Sequence, residues 1–192
     1  MSSSVAEPQR RRADAERNRD RILIAAREVL ADRAAEVSMA EVARRAGVGM
    51  ATLYRNFPGR RELLEALFAG EVDDLCHAAG QVSGAAGEVS GSPGEALVSW
   101  LRRFALFHHS KHPIAAELLR HTDATDPVFG SSRDRVLAAG RPLLLAAQQA
   151  HQVRADLGLD QVLDLVLAAA TIRGEPAYVG PILQAALDGL RG

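Results

Sequence analysis

Apolar residues recur along most of the chain at spacings of three and four, the pattern of helices with one buried face, and strict alternation never runs long enough to predict a strand. Two stretches interrupt this pattern. Residues 1–12 are polar and are predicted to be a disordered basic arm, and the Gly- and Ser-rich residues 80–94 are predicted to be a loop. The remaining chain is predicted to form about nine helices, at roughly 13–34, 39–46, 49–56, 60–79, 95–110, 112–121, 131–152, 157–173 and 177–190.

Two of these helices are short and adjacent. Ser38 and Glu41 are spaced as a capping box, in which the Ser38 hydroxyl accepts the amide of Glu41 and the Glu41 carboxylate reaches back to the amide of Ser38. Gly47 is predicted to end the first short helix in the left-handed conformation. Leu53 and Phe57 are predicted to anchor the second, which begins at about Gly49 and ends at about Asn56.

Two short helices joined by a Gly-containing turn behind a longer helix are typical of the tri-helical unit that reads DNA, in which the second short helix enters the major groove. The alternative is that the two short helices form an ordinary helical hairpin whose arginines only face solvent. The capping box, the turn and the anchors occur in the order that DNA binding requires, so residues 13–59 are predicted to be a DNA-binding domain. The outer face of its second short helix carries Met50, Ala51, Thr52, Tyr54 and Arg55.

The charge distribution supports this interpretation, although the net charge of the whole chain is only −1. Residues 1–61 contain 13 Arg and 8 acidic residues, which gives +5. The other 131 residues contain 10 basic and 16 acidic side chains, which gives −6. The sequence therefore predicts that the first segment alone meets a polyanion.

The segment AEVARRAGVGMATLYRNFPGRRELLEAL resembles the signature of the TetR family of bacterial regulators, and the likeness covers residues 19–67. The resemblance implies phosphate contacts for Thr52, Tyr54 and Arg60, the last at a place usually held by Lys. It also implies that Met50, Ala51 and Arg55 face base edges. Of these only Arg55 can bond guanine in a bidentate manner. Ser38 and Gly49 complete the predicted DNA-binding residues, although Gly49 lacks the hydroxyl that commonly caps this helix.

Residues 60–192 are predicted to be a larger helical domain for effector binding and dimerisation. Residues 157–173 are apolar nearly all round, so that helix needs cover on two faces. Both of the last two helices could be internal core. The family resemblance and the two-fold symmetry of DNA half-sites instead favour a homodimer. Its predicted interface consists of Val162, Val166, Val179, Leu183, Ala186, Leu187 and Leu190.

Trp100, Phe104 and Phe107 share one helical face and are candidates for an effector pocket, with plain core packing as the alternative. His108 and His112 stand one helical turn apart, a spacing that two ligands of a metal site can have. Two imidazoles need a third ligand, such as Glu117 or His121, and Pro113 is predicted to end the helix there. No metal site and no cofactor are therefore predicted.

The predicted function is a ligand-responsive transcriptional regulator, a repressor that binds a palindromic operator as a homodimer and is released by a small-molecule effector. An enzyme is disfavoured, because the sequence has no phosphate-cradling Gly loop and no nucleophile elbow. An architectural DNA-binding protein would not need so long a second domain. A cytoplasmic location is expected, since no signal peptide is seen and the longest apolar stretch, Leu165 to Ala170, cannot cross a bilayer. The single cysteine, Cys76, is expected to be a buried structural thiol.

Overall fold

The computed structural model describes residues 6–32, 38–84, 91–119 and 127–191, except for the side chains of 6–12, 82–84, 109–113, 115–116 and 119. Within these residues the chain is all-α, as predicted, with no strand. The eight helices are α1 (Ala6–Ala31), α2 (Met39–Ala46), α3 (Met50–Asn56), α4 (Arg60–Gly84), α5 (Pro93–Leu119), α6 (Pro127–Gln149), α7 (Leu159–Ala170) and α8 (Pro176–Asp188).

Helix α1 begins at Ala6, so residues 6–12 are helical and the prediction of a disordered arm is wrong for them. Pro8 lies in the first turn, where its missing amide would have had no partner in any case. The Arg and Ala residues that follow are among the strongest helix formers. Residues 1–5 of the predicted arm lie outside the described part of the chain.

Helices α4 and α5 both extend beyond their predicted ends. The predicted loop at residues 80–94 begins only after Gly84, and α5 starts at Pro93. Helix α5 also runs through Pro113, where a break between two helices was predicted, and this reduces nine predicted helices to eight. Proline inside a helix removes one main-chain hydrogen bond. Burial of Ile114 and Leu118 on one face of the following turn offsets that loss.

The chain divides into two compact units. The first comprises Met1–Phe68 with Pro113–Thr122, and the second comprises Ala69–His112 with Asp123–Gly192. The predicted boundary after residue 59 therefore falls too early, because the first two turns of α4 bury their leucines in the first unit. The buried apolar residues of this unit include Ile22, Ala26, Val29, Val42, Ala43, Ala46, Leu53, Phe57, Leu63, Leu64 and Leu67.

The core of the second unit is organised around Trp100, which is 0% exposed. Its indole N–H donates a hydrogen bond to the carbonyl of Leu75 on α4, with an N–O distance of 3.1 Å. Its six-membered ring lies where a side chain at Gly140 of α6 would begin. Trp100 of α5 thus contacts both α4 and α6. The size of its ring requires a residue without a side chain at position 140.

This contact predicts a large difference between two glycines of α6. Gly140→Ala forces a methyl group into the Trp100 ring and should lower the free energy of unfolding by about 1–3 kcal/mol. Gly130→Ala is the matched control on the same helix, because no other atom lies within 4 Å of its added Cβ. It should be neutral or stabilising by up to about 0.5–1 kcal/mol. Urea denaturation of both variants measures the difference, and equal stabilities would contradict the packing described here.

Candidate nucleic-acid interface

Helices α2 and α3 form a helix-turn-helix whose turn has the predicted conformation. Gly47 adopts φ +62° and ψ 39° and ends α2, as its position in the sequence predicted. The Ser38 hydroxyl accepts the amide of Glu41 at 3.4 Å. Gly49 precedes α3 with extended backbone and no side-chain cap, and its carbonyl accepts the amides of Thr52 and Leu53 at 2.9 and 3.0 Å.

Two anchors fasten α3, and both were predicted. Leu53 is 0% exposed and Phe57 is 1% exposed. The opposite side of the helix stays open to solvent, with Met50 at 40% and Tyr54 at 46% exposure. Ala51 and Arg55 are also exposed, and Thr52 is half-buried. The structure thus gathers the five predicted contact residues of α3 on or beside one accessible face.

The polar groups of that face are turned onto their own helix. The Arg55 guanidinium donates to Thr52 Oγ1 at 3.0 Å and to the carbonyl of Ala51 at 3.1 Å. Solvent-exposed hydrogen bonds of this kind contribute only about 0.5–1.5 kcal/mol each. A stronger acceptor, such as the N7 and O6 pair of guanine, can therefore displace them.

Two arginines of α1 hold this unit together, and sequence reasoning missed both. The Arg19 guanidinium lies 4.5 Å from the centroid of the Phe57 ring and donates to the carbonyl of Asn56 at 3.5 Å. Arg21 donates to the carbonyl of Gly47 at 3.2 Å. Both cations thus meet carbonyls at helix C-termini, where partners are lacking and the helix dipole is negative. No local motif signals such contacts, because each spans more than twenty residues of sequence.

The basic face of α2 is internally neutralised. The Glu41 carboxylate was predicted to bond the amide of Ser38, but it accepts hydrogen bonds from Arg44 and Arg45 instead. These two guanidinium groups, Arg44 first, lower the pKa of Glu41 to about 2. Arg45 also pairs with Asp32 at 2.6 Å. Three of these four side chains lie on α2. The positive charge of Arg44 and Arg45 is therefore balanced by neighbouring carboxylates, those of Glu41 and Asp32.

Arg60, a predicted phosphate contact, occupies an unexpected place. It forms an ion pair with Glu117 of α5 at 2.8 Å, and the two side chains are only 22% and 9% exposed. The next residue, Arg61, is 45% exposed and pairs with Glu65 one turn along α4 at 2.6 Å. The cation expected at the DNA surface is therefore held inside the first unit.

The predicted dimer residues divide into two groups. Val162, Val166, Leu187 and Leu190 are at most 1% exposed within their own protomer, so they have almost no surface left for a partner. The reason is that α7 and α8 bury these residues against the second unit's own core. Val179, Leu183 and Ala186 are half-exposed along one stripe of α8.

The predicted aromatic pocket is packed at one end. Trp100 and Phe104 are buried and stack on each other, and Phe104 and Phe107 both contact the ring of His108. Burial lowers the pKa of His108 to about 4. A cleft of about 520 Å³ lies elsewhere in this unit. Its lining consists of Ser92, Gly94, Glu95, Val98, Arg102, His151, Gln152, Val153, Leu187, Leu190 and Arg191.

Three further features bear on other functions. Among the described residues, no cluster of three metal-ligating side chains occurs, and the side chains of His112 and His121 lie outside that part of the chain. No described helix is long and apolar enough to cross a membrane. Cys76 is half-buried rather than buried, and burial raises the pKa of its thiol.

Two family models match the sequence. Residues 22–67 match bacterial regulatory proteins of the tetR family, and residues 92–192 match the C-terminal domain of SbtR-like transcriptional regulators. No curated protein matches the chain significantly.

Solved structures of similar proteins cover nearly the whole chain. A TetR transcriptional regulator from Streptomyces coelicolor is 34% identical, with a TM-score of 0.72 over 90% of this chain and 98% of its own. A TetR regulatory protein from Mycobacterium vanbaalenii is 31% identical, with a TM-score of 0.74 over 94% and 99%. The regulator RolR in complex with resorcinol is 23% identical, with a TM-score of 0.57 over 93% and 89%, which indicates a shared fold alone.

The contacts of Arg19 predict a measurable contribution to stability. Arg19→Ala removes the cation over Phe57 and the bond to Asn56, and should lower the free energy of unfolding by about 1 kcal/mol. Arg17→Ala is the control, since Arg17 is exposed on the same helix and, among the described residues, forms its ion pair with Asp14 one turn earlier. Its effect should stay within about 0.5 kcal/mol. Chemical denaturation in parallel checks both, and an Arg19 effect no larger than that of Arg17 would contradict a positioning role.

Proposed function

Because the chain belongs to the TetR family of bacterial transcriptional regulators, we propose that it is a repressor that binds a palindromic operator as a homodimer and releases it when a small-molecule effector binds. Membership of this family establishes that the protein is a DNA-binding transcription regulator and not an enzyme. We infer the repressor activity, the palindromic operator, the homodimer and the effector from the features described below.

The exposed face of α3 is the observation that carries the DNA-binding part. Its anchors turn inward, while Met50, Tyr54 and Arg55 turn outward on a helix short enough to enter the major groove. Tyr54 and Thr52 are proposed to bond phosphates, Ala51 and Met50 to touch bases, and Arg55 to read guanine. Repression follows most simply from occupancy of a promoter by the bound protein.

An uncovered apolar stripe on α7 and α8 supports the dimer. Two large hydrophobic side chains are exposed, Leu165 of α7 at 41% and Tyr178 of α8 at 63%. The half-exposed apolar side chains of α8 are Val179, Ile182, Leu183 and Ala186, and the half-exposed Ile172 lies between the two helices. A large exposed apolar patch marks an interface. We propose that a second copy of the chain covers it in an isologous contact, so that a two-fold axis relates the two α3 helices.

The second unit supports the effector part. We propose the cleft of about 520 Å³ as the site, because its volume falls within the range of small-molecule pockets. Val98 and the exposed Arg102 line it, and the buried Leu187 and Leu190 lie behind them. The aromatic face remains the second candidate at its Phe107 end, since Trp100 fills its own space completely. RolR, which shares the fold, was solved with the small phenol resorcinol.

The dimer proposal predicts that one charge on the stripe separates the protomers. Leu183→Glu should give a helical monomer, because an isologous contact places two carboxylates in one apolar interface. Leu145→Glu is the matched control, a leucine of α6 that is 50% exposed. Sedimentation velocity should show a monomer for the first variant and a dimer for the second. A dimer in both would place the interface elsewhere.

The DNA-binding proposal predicts that Arg55 sets one base preference in each half-site. Arg55→Ala should weaken operator binding by about 1–3 kcal/mol and relax the preference at one symmetric position. Arg55→Lys restores the charge without the bidentate geometry, so nonspecific binding should recover and the preference should not. Selection of binding sites from random DNA by all three proteins is the measurement. Identical preferences would remove Arg55 from base reading, and the lack of any two-fold symmetric site would contradict the palindrome.

A further inference from the structure

The ion pair between Arg60 and Glu117 joins two residues far apart in sequence within the first unit. Their nearest atoms, Arg60 Nη2 and Glu117 Oε1, are 2.8 Å apart. Glu117 is 7% exposed, and the Nε and Nη2 atoms of Arg60 are shielded from solvent. In this conformation these two nitrogens face the protein, where no external anion reaches them.

Arg60 lies close in sequence to α3, the helix proposed to contact DNA. Arg60 is the first residue of α4 and follows α3 after only Phe57, Pro58 and Gly59. A cation at this point stands beside the helix proposed to enter the groove. The guanidinium binds carboxylates and phosphates through the same fork of N–H donors, so one group cannot serve both anions with the same nitrogens.

We propose that Glu117 is an internal competitor of DNA phosphate for Arg60, so that the pair lowers the DNA affinity of the free protein. This inference rests on the proposed DNA-binding function. In the free protein Arg60 lies on Glu117. On DNA its side chain, which is still 22% exposed and therefore near the surface, turns to a phosphate oxygen. The free energy of breaking the internal pair is subtracted from that of the new contact.

A purely structural role makes the opposite prediction. If the pair only fixes the start of α4, loss of the Glu117 charge loosens the segment that follows α3. DNA binding should then weaken, and the number of phosphates contacted should stay the same or fall. The sign of the change in affinity therefore separates the two roles.

The first experiment measures binding of the full chain to a fluorescently labelled duplex of random sequence over a range of salt concentrations. Glu117→Gln keeps the size of the side chain and removes its charge. We expect its affinity to rise about threefold to tenfold with little change in the slope of log affinity against log salt, because Arg60 reaches the same phosphate in both proteins. Arg60→Gln in the same background should cancel the gain in affinity and flatten the slope by about one unit. Glu117→Asp, which keeps the charge on a shorter side chain, should give an intermediate gain and serves if the Gln variant does not fold.

The matched control is Glu65→Gln. It removes the half-buried carboxylate that pairs with Arg61, the neighbour of Arg60, and so reports the general effect of losing one negative charge in this region. The gain of the Glu117 variant should exceed that of the Glu65 variant and should depend on Arg60.

A second experiment uses no DNA. Phenylglyoxal modifies accessible arginines, and mass spectrometry of the peptide that contains Arg60 gives its rate of modification. Arg60 should react slowly in the wild type and several times faster in Glu117→Gln. Equal rates, weaker DNA binding of the Gln variant, or a gain that persists without Arg60 would each overturn the competition. Absence of DNA binding by the wild type and every variant would instead overturn the proposed function, and the competition with it.

Discussion

Burial of Leu53 and Phe57 is the interaction on which the rest of the first unit depends, because α3 has only seven residues. Helix formation is nucleated at a cost that so few hydrogen bonds cannot offset in isolation. The two anchors supply the missing free energy from the core. Arg19 then stacks on Phe57 and donates to the carbonyl of Asn56, the last residue of α3, which ties the orientation of the helix to α1.

Several arginines of residues 1–61 form contacts within the protein in the absence of DNA. Arg21 meets Gly47, Arg45 meets Asp32 and Glu41, and Arg60 meets Glu117. The net charge of +5 over residues 1–61 already counts Asp32 and Glu41, and of these partners Glu117 is the one carboxylate that lies outside that segment and offsets it further. A phosphate contact by Arg45 or Arg60 would exchange an internal partner for phosphate, so part of the electrostatic attraction would be offset by bonds already present. Exposed pairs such as Arg61 and Glu65 exchange at small cost, and buried pairs at a larger one.

Local chemistry made the helix-turn-helix predictable, whereas contacts distant in sequence did not. The spacing of Ser38 and Glu41, the glycine at 47 and the two anchors each act within a few residues, and the structure confirms the N-cap, the turn and the burial. The packing of Trp100 against Gly140 and the ion pair of Arg60 with Glu117 each join residues on helices that are far apart in sequence. Apolar periodicity marks a buried face but does not say what buries it. Val162 and Val166 were therefore assigned to a partner chain although their own protomer covers them.

The face of α3 has consequences for how specificity is reached. It presents one strong base-reading donor, Arg55, beside Met50 and Ala51, which offer only shape and apolar contact. A single bidentate contact discriminates by about 1–3 kcal/mol, too little to select one site in a genome. In the homodimer that we propose, two copies related by a two-fold axis would double that contribution and add a fixed spacing between half-sites, which wrong sequences rarely match. The proposed dimer therefore accounts both for the exposed apolar residues of α7 and α8 and for the small number of polar donors on α3.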